Sequence, residues 1–572
     1  MKKIINIIAI ALSALALSSC LDLSPKAQLA DNHVWSKAEN YQLFANQFYG
    51  WTRDFNGCFS DGPHSDMRSD LICSMNNRND YSAGANAIPA SDGNYGTQYK
   101  RIYYTNLLLK NAETFSNPDA IRTPVGAALF FRAYCHFELV QLYGDVILLT
   151  EPVDLNSEKL YGPRDNRLEV IKQCVADLKK AAELLPEDPK NDGEVCKYTA
   201  LAFLSRVALY EGTWQKYHNN NSAESKTLCA EAADAAKQVI ESGKYQLFYS
   251  DKLGPRDSYR LMFTLENVDC NVAKLTKSAN KEYILAYRHD SDLRKIGLNI
   301  THAAFNNVAY SPTAKLAMNY RCQDGLPISI SPLYKGANGQ NTEFENRDLR
   351  MNGTIMMHGQ KAWDNDTKSR VAWNETDEEE ANCKVVSRCG NTGYPLYKWA
   401  TERAVLDTYE GYDWPVIRYA EVLLNYAEAV CERDGSISDT DLDYSLNLVR
   451  ARSNPSMTKL SNALISEHPN DMSMIEEIRA ERTSELFAEG FRIDDLKRWK
   501  TAEKEMPMDI KGIIWKGTWY ETNWASQSNP VDSEGRIIIQ DGRVWDQKHY
   551  LLPLPSDELQ LNPQLKQNPG WE

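Results

Sequence analysis

The sequence predicts a mostly α-helical protein: an α/α superhelix of stacked helices carrying long irregular loops and a few short β-strands. Three observations lead there. Apolar residues recur at three-to-four spacing through stretches such as YKRIYYTNLLLKNAETF (99–115) and VGAALFFRAYCHFELVQLY (125–143), the period of one helix face. Alanines crowd later stretches, at Ala200, Ala202 and Ala208 and again at Ala230, Ala232, Ala233 and Ala236; small side chains at such spacing let helices approach closely. Long segments rich in Gly, Asn, Asp and Ser interrupt the helical sets, and long loops inside compact domains often carry function. With 572 residues, 42% of them hydrophobic, the chain can bury a large core.

Residues 1–19 read as an export signal. Lys2 and Lys3 precede a nearly unbroken apolar run from Ile4 to Leu17, the length of a secretory h-region and too short to span a bilayer. Leu17-Ser18-Ser19-Cys20 follows. Small residues before a cysteine resemble a bacterial lipobox, with Cys20 lipidated as the first mature residue. The alternative is plain cleavage that leaves a soluble secreted protein. Stable anchoring takes more than one hydrophobic signal, and a bacterial lipoprotein cysteine usually carries more than one chain. Residues 20–572 are expected to form a single domain. Within it, 21–28 reads as a tether, 37–49 as a helix and 54–98 as a long irregular loop. Helices follow at 99–115, 125–143, 168–185, 197–213 and 227–242, stopped by Gly144, Pro186 and Gly243 where stops occur. The unit length approximates a tetratricopeptide repeat, so the scaffold over about 99–245 is TPR-like. A second helical set, about 413–500, includes 415–433 and 441–453. Loop-rich insertions are expected at about 54–98, 245–410 and 505–549, the last holding Trp515, Trp519, Trp524 and Trp545.

Several chemistries are disfavoured. The net charge is −14 and no Lys/Arg block stands out, which argues against nucleic acid as a partner. Setting Cys20 aside from the twelve cysteines leaves eleven, an odd number, with no CxxC. Cys135, Cys174, Cys229 and Cys431 lie in helical patterns as small hydrophobes; pairing of Cys383 with Cys389 across their loop stays open. The nine histidines are scattered, so a zinc site is not expected. Neither a P-loop, a Rossmann glycine pattern nor a GxSxG elbow occurs. Asp439-Thr440-Asp441-Leu442-Asp443 starts like a calcium loop, but Tyr444 stands where that loop needs Gly; Asp439 or Asp441 is read instead as a helix cap. No cofactor is expected, although Asp- and Asn-rich loops leave room for a structural calcium ion.

The stretch RAERTSELFAEGFRIDDLKRW (479–499) is dense in charge yet holds Phe487, Phe491, Ile493, Leu496 and Trp499. On a helix, Arg482 and Glu485 are three apart, as are Glu489 and Arg492, and such residues are surface neighbours. Gly490 invites a break, with a second helix starting near Phe491 and Asp494 and Asp495 in its first turn, where the helix dipole favours them. A glycosidase needs two carboxyls facing each other across a cleft about 5–10 Å wide, one with a raised pKa. Here every acid has an Arg within reach, which keeps it ionised. The charges therefore read as a structural network, with no catalytic residue among them.

The pattern RAERxxELxxEGxRxxDLxRW resembles the signature of the SusD/RagB family of Bacteroidetes outer-membrane lipoproteins. GAALFFRAYCHFELVQLYGDVILLT (126–150), ALAFLSRVALYEGTW (200–214), DWPVIRYAEVLLNYAEA (413–429) and LPLPSDELQLNPQLKQNPGW (552–571) are similar to further family motifs, in the same order. The resemblance implies a non-enzymatic, surface-exposed lipoprotein of the outer membrane. It would be held by lipid on Cys20, capture an oligosaccharide or polysaccharide, and act as a lid on a SusC-like TonB-dependent β-barrel. Family glycan contacts come largely from the early loop and the loop-rich middle. The ligand-binding candidates are accordingly Arg78, Asp80, Tyr81, Asn94 and Tyr95, with Tyr99 beside them, and Arg288, Asn306 and Tyr310. Chemistry agrees with those residue types: a sugar's C–H face wants a flat ring, and its hydroxyls want charged or amide partners. The family often has a Trp near Tyr95, absent here. The Trp-rich segment 515–524 is a rival platform. Other readings are a RagB-like peptide binder, a surface glycosidase and a purely structural TPR-like adaptor.

Overall fold

A computed structural model describes residues 34–60, 62–73, 78–305, 310–358, 369–371, 384–386, 392–401, 408–523 and 528–572. Six longer helices come early: α1 (Ala38–Ala45), α2 (Gly93–Ala112), α3 (Arg122–Tyr143), α4 (Arg167–Leu184), α5 (Lys197–Tyr217) and α6 (Ser222–Glu241). Four come late: α7 (Tyr419–Asp434), α8 (Leu446–Ser453), α9 (Met474–Glu485) and α10 (Arg492–Arg498). A last one, α11 (Ser556–Leu561), lies near the C-terminus, and an eight-residue helix at Gly254–Leu261 and several shorter helical segments lie between these among the described residues.

The stack follows from burial pattern. α4 buries Val170, Ile171, Cys174, Leu178, Ala181 and Ala182, one face of a helix. α6 buries Leu228, Cys229, Ala232, Ala233, Ala236 and Val239 in the same way. α3 and α5 are buried nearly all round and form the inner layer. α2 packs on α3, α3 on α4, α4 on α5 and α5 on α6, and α7 inserts against α5 and α6. This is the mostly helical, TPR-like scaffold expected. Asn166 and Asn221 cap α4 and α6 by accepting from the Leu168 and Glu224 amides. The described cysteines, Cys135, Cys174, Cys229 and Cys431 among them, are free and buried; Cys383 and Cys389 lie outside the described residues.

Strands are few and paired in twos. β1 (Ile72–Cys73) pairs with β3 (Ser311–Pro312), β2 (Tyr283–Tyr287) with β6 (Trp414–Arg418) and β7 (Ile510–Ile514) with β8 (Arg536–Gln540), all antiparallel; β4 (Ser369–Val371) runs parallel to β5 (Lys384–Val386). Local details differ from expectation. α2 begins six residues before 99, because Asp92 accepts from the Asn94 amide and starts the helix in the polar run GNYGTQ. Residues 414–418 form β6 before α7 begins. Ser438, not Asp439 or Asp441, caps the helical turn Asp439–Tyr444, accepting from the Asp441 amide. That turn and α8 meet at Ser445, which has a non-helical backbone.

The last residues close onto the first helices. The Leu552 amide donates to Leu142 O (2.7 Å) and Asn568 Nδ2 to Tyr143 O (3.0 Å). Arg164 Nη1 donates to Asn568 Oδ1 (2.7 Å).

The charged stretch breaks as Gly490 suggests. α9 ends at Glu485, Ala488 and Gly490 take positive φ (58° and 77°), and α10 starts at Arg492. The positive φ at Gly490 is one that a side chain would strain. The aromatics turn inward, with Phe487 and Trp499 buried. Asp495 and Arg498, three apart on α10, do pair (2.8 Å), but Arg482–Glu485 and Glu489–Arg492 are not among the ion pairs of the described residues: these four side chains take partners from other elements. Arg482 Nε donates to Asp495 Oδ2 (2.8 Å), and Arg492 Nε to Asp70 Oδ1 (2.8 Å). Glu485 takes Arg350, Arg418 and Arg452, while Glu489 takes Lys398 and Arg418. Glu282 joins Arg418 and Arg452 from β2's N-terminal side. Burial alone would raise the Glu485 carboxyl, but Arg452, Arg418 and Arg350 hold it well below the usual range.

Glu428 on α7 gives a pH test of this network. Burial raises its carboxyl, but the Arg498 guanidinium outweighs burial and brings it from 4.5 down to about 2. A depressed folded-state value adds stability above the unfolded value, and that stability is lost as pH falls through the folded one. Stability is therefore expected to fall between about pH 4.5 and pH 2, and Glu428→Gln should flatten that limb in urea melts at a series of pH values. An unchanged acid limb in the variant would remove Glu428 from the account.

Candidate functional site

α2 carries Tyr95, Tyr99 and Tyr103 four residues apart, so the three rings share one face of the helix. That face forms the wall of a groove of about 400 Å³. Its other sides come from the segment after α3, through Leu149 and Tyr161, and from α11, through Glu558 and Leu561. Tyr95 and Tyr99 meet edge to face at 5.0 Å, and Tyr95 meets Tyr143 at 5.1 Å. Tyr99 OH accepts from the Ile147 amide (2.9 Å) and donates to Ile147 O (3.2 Å). Asn106 Nδ2 donates to Leu149 O (3.0 Å) and Glu151 O (3.1 Å). These bonds pin the 147–151 segment to α2, so the wall is rigid.

Towards solvent the groove opens on rings and apolar chains. Tyr103 is 38% exposed and Tyr161 43%, with Leu155 and Leu561 more open still. Tyr161 OH donates to Leu155 O (2.9 Å), which fixes the turn that carries its ring. Two carboxylates, Glu151 and Glu558, complete the lining. Burial, with Asp557 adjacent, raises the Glu558 carboxyl above its ordinary value. The size falls within the range of about 300–1,000 Å³ typical of small-ligand sites, and the make-up fits as well: mostly apolar with a few polar groups.

The residues proposed from sequence do not gather at one face. Tyr95 lines the groove, but it is only 3% exposed, and burial pushes its hydroxyl up to about 12. Tyr81 is 2% exposed: its OH donates to His549 O (2.5 Å) and its ring meets Trp545 edge-on. The expectation that these two rings stand open as a platform is corrected on this point, because both are packed beneath other rings. Arg78 donates to Gly542 O, and Asp80 is exposed at the start of a one-turn helix. Asn94 is exposed and tied to the capping Asp92 (3.0 Å). Tyr310 is half-buried against Phe59 at 4.8 Å. Arg288 lies in a separate cleft. In the Trp-rich rival segment, Trp515 is buried and Trp519 packs on Tyr520 and His358. Asn306, Trp524 and Cys20 lie outside the described residues. Reasoning from sequence passed over Tyr103 and Tyr161. The four-residue spacing of Tyr95, Tyr99 and Tyr103 was the available signal for Tyr103; nothing local marks Tyr161, which a turn some 60 residues away brings in.

Among the described residues, no group of three or more His, Cys, Asp or Glu is placed to hold a metal ion. Among them too, no helix is long and apolar enough to cross a membrane.

Comparison with known proteins bears on this site. The model of the SusD family matches residues 278–571, and a second family model, described as starch-binding associating with outer membrane, matches 21–209. SusD-like protein P2 of Formosa agariphila is 24% identical over 478 residues, covering 83% of this chain and 79% of that protein. SusD-like protein P25 of the same organism is 26% identical over 172 residues, 28% of this chain and only 29% of that protein. Among solved structures, a SusD-like carbohydrate-binding protein of Bacteroides fragilis superposes with a TM-score of 0.71 at 22% identity, covering 93% of this chain and all of that one. Surface glycan-binding protein A of Bacteroides fluxus superposes at 0.58, with 18% identity over 94% of this chain and all of that one. At these identities the superpositions speak for the fold.

Proposed function

The chain belongs to the SusD family, and from that premise we propose that it is a cell-surface lipoprotein that captures a glycan and passes it to a SusC-like TonB-dependent β-barrel, as its lid and without catalysis. The observation that carries the glycan reading is the tyrosine face of α2, opening with Tyr161 onto a groove that holds two carboxylates. Tyrosine rings suit the C–H faces of sugars, and carboxylates accept hydroxyl hydrogen bonds with the strength of charged acceptors. Relatives described as carbohydrate- and glycan-binding support the same reading. The binding-only reading is supported by the 479–499 network, whose buried acids are paired to cations rather than poised to give up protons. Anchoring is read from Cys20 at the end of the apolar leader.

Titration of the purified chain with a panel of oligosaccharides, beside a peptide mixture, tests the reading. Saturable binding of an oligosaccharide with no release of reducing sugar is expected. Reducing-sugar release would replace binding by hydrolysis, with Glu151 and Glu558 as the groups to examine. Saturation by peptides alone would overturn the glycan reading. In cells, Cys20→Ser is expected to lose the membrane fraction; retention there would remove the lipid anchor from the account.

A further inference from the structure

A second cleft, of about 230 Å³, lies between β2, the loop at 188–194 and the start of the segment after α6. It carries four acids, Asp188, Asp192, Glu194 and Asp413, and four bases, Lys244, Lys277, Lys281 and Arg288. The formal charge is thus balanced in a chain of net −14. What is not balanced is the spare hydrogen-bonding capacity. Asp188 is taken by Lys244 (2.8 Å). Asp413, only 5% exposed, accepts from Lys277 (2.7 Å) and from the His289 amide (2.8 Å). Glu194 accepts from the Asn191 amide and side chain.

Two of the four cations, Lys281 and Arg288, are less occupied, whereas Lys244 holds Asp188 and Lys277 donates to His289 O, Gly411 O and Asp413. The Lys281 side chain, exposed just before β2, has no hydrogen-bond or ion-pair partner among the described residues. Arg288 makes two ion pairs, at 3.1 Å to Asp413 Oδ2 and at 4.0 Å to Asp192 Oδ2, the second too long for a hydrogen bond. A guanidinium has five N–H donors, so most of those on Arg288 are spare. Its position is fixed. Asp413 holds one side, and Gly193, at φ 89°, leaves room for the stem: a Cβ there would come within 3.0 Å of Arg288 Cγ. Asp192 is 81% exposed in its side chain, so water screens its hold on Arg288.

We propose that this cleft binds the carboxylate of a single acidic sugar residue, a uronic acid, through Arg288. Arg presents a planar fork that matches a carboxylate with two parallel bonds. The volume lies below the range of about 300–1,000 Å³ of drug-sized sites, which suits one ring rather than a chain. Tyr245 and Asn280, also on the lining, supply a ring and an amide for the rest of the sugar. The choice of a sugar acid over other carboxylates rests on the glycan-binding reading above; the anion site itself does not.

Calorimetric titration of the full chain with galacturonate, galactose and acetate tests it. Galacturonate is expected to bind at least about tenfold tighter than galactose, the worth of one charge-assisted contact, and more weakly as salt is raised. Arg288→Ala should abolish that preference while the melting temperature holds. Asp192→Asn should tighten galacturonate binding, a gain that misfolding cannot mimic. Equal affinity for acid and neutral sugar, or no response to Asp192→Asn and Arg288→Ala, overturns the proposal. Acetate binding as tightly as galacturonate overturns the sugar part and leaves a bare carboxylate site. Neutral oligosaccharides still saturating the protein in any of these cases would show that the proposed function stands apart from this failure.

Discussion

Replacing Glu485 by alanine is expected to lower stability by about 3–5 kcal/mol, the range for breaking a buried ion pair by removing one partner. The carboxylate is fully buried and meets three guanidiniums: Arg350 at 2.9 Å, Arg418 at 2.7 Å and Arg452. Without it those cations keep Asp348, Glu481, Glu282 and Glu489, but each loses the partner all three share, and Arg452 is left, among the described residues, with Glu282 as its one ion-pair partner. The loss should appear as a lower urea midpoint with the slope unchanged. Glu485→Gln keeps the shape and some hydrogen bonds, so it should fall between the two. A midpoint that does not move in the alanine variant would mean that desolvation cancels the whole attraction here.

Truncating Tyr103 and Tyr161 together to alanine is expected to weaken glycan binding by about a hundredfold. Aromatic anchors at the centre of a site commonly cost more than 1–2 kcal/mol each when removed, and each 1.4 kcal/mol is tenfold. Both rings are partly exposed, so the melting temperature should change little. Tyr161→Phe separates two causes. It removes the bond to Leu155 O and keeps the ring; an equal loss in that variant would credit the turn, not the ring face. Undiminished affinity in the double variant would remove the groove as the glycan site.

The helical stack was legible because its signals are local. Apolar spacing and helix stops placed α3, α4, α5 and α6 to within four residues at most ends. The break at Gly490 and the restart near Phe491 were legible for the same reason, as backbone chemistry confined to a few residues. The pairing of the charged stretch was not. Arg418, Arg350 and Arg452 reach Glu485 from positions 67, 135 and 33 residues away, and no periodicity reports such distances. The site was divided likewise. Tyr95 was found as a lining residue, but its burial depends on the rings of Tyr99 and Tyr143 packed edge-on against it. Tyr81 looked like a loop aromatic until the segment ending in His549 covered it.

The bonds from Leu552 and Asn568 to the end of α3 bear on when the molecule can fold. They join positions about 400 residues apart, and α7, which completes the stack, arrives almost as late. At about 5–20 residues per second a ribosome needs roughly half a minute or more to supply them. Until then the inner helices lack their closing surface, so their final packing has to wait for the end of synthesis.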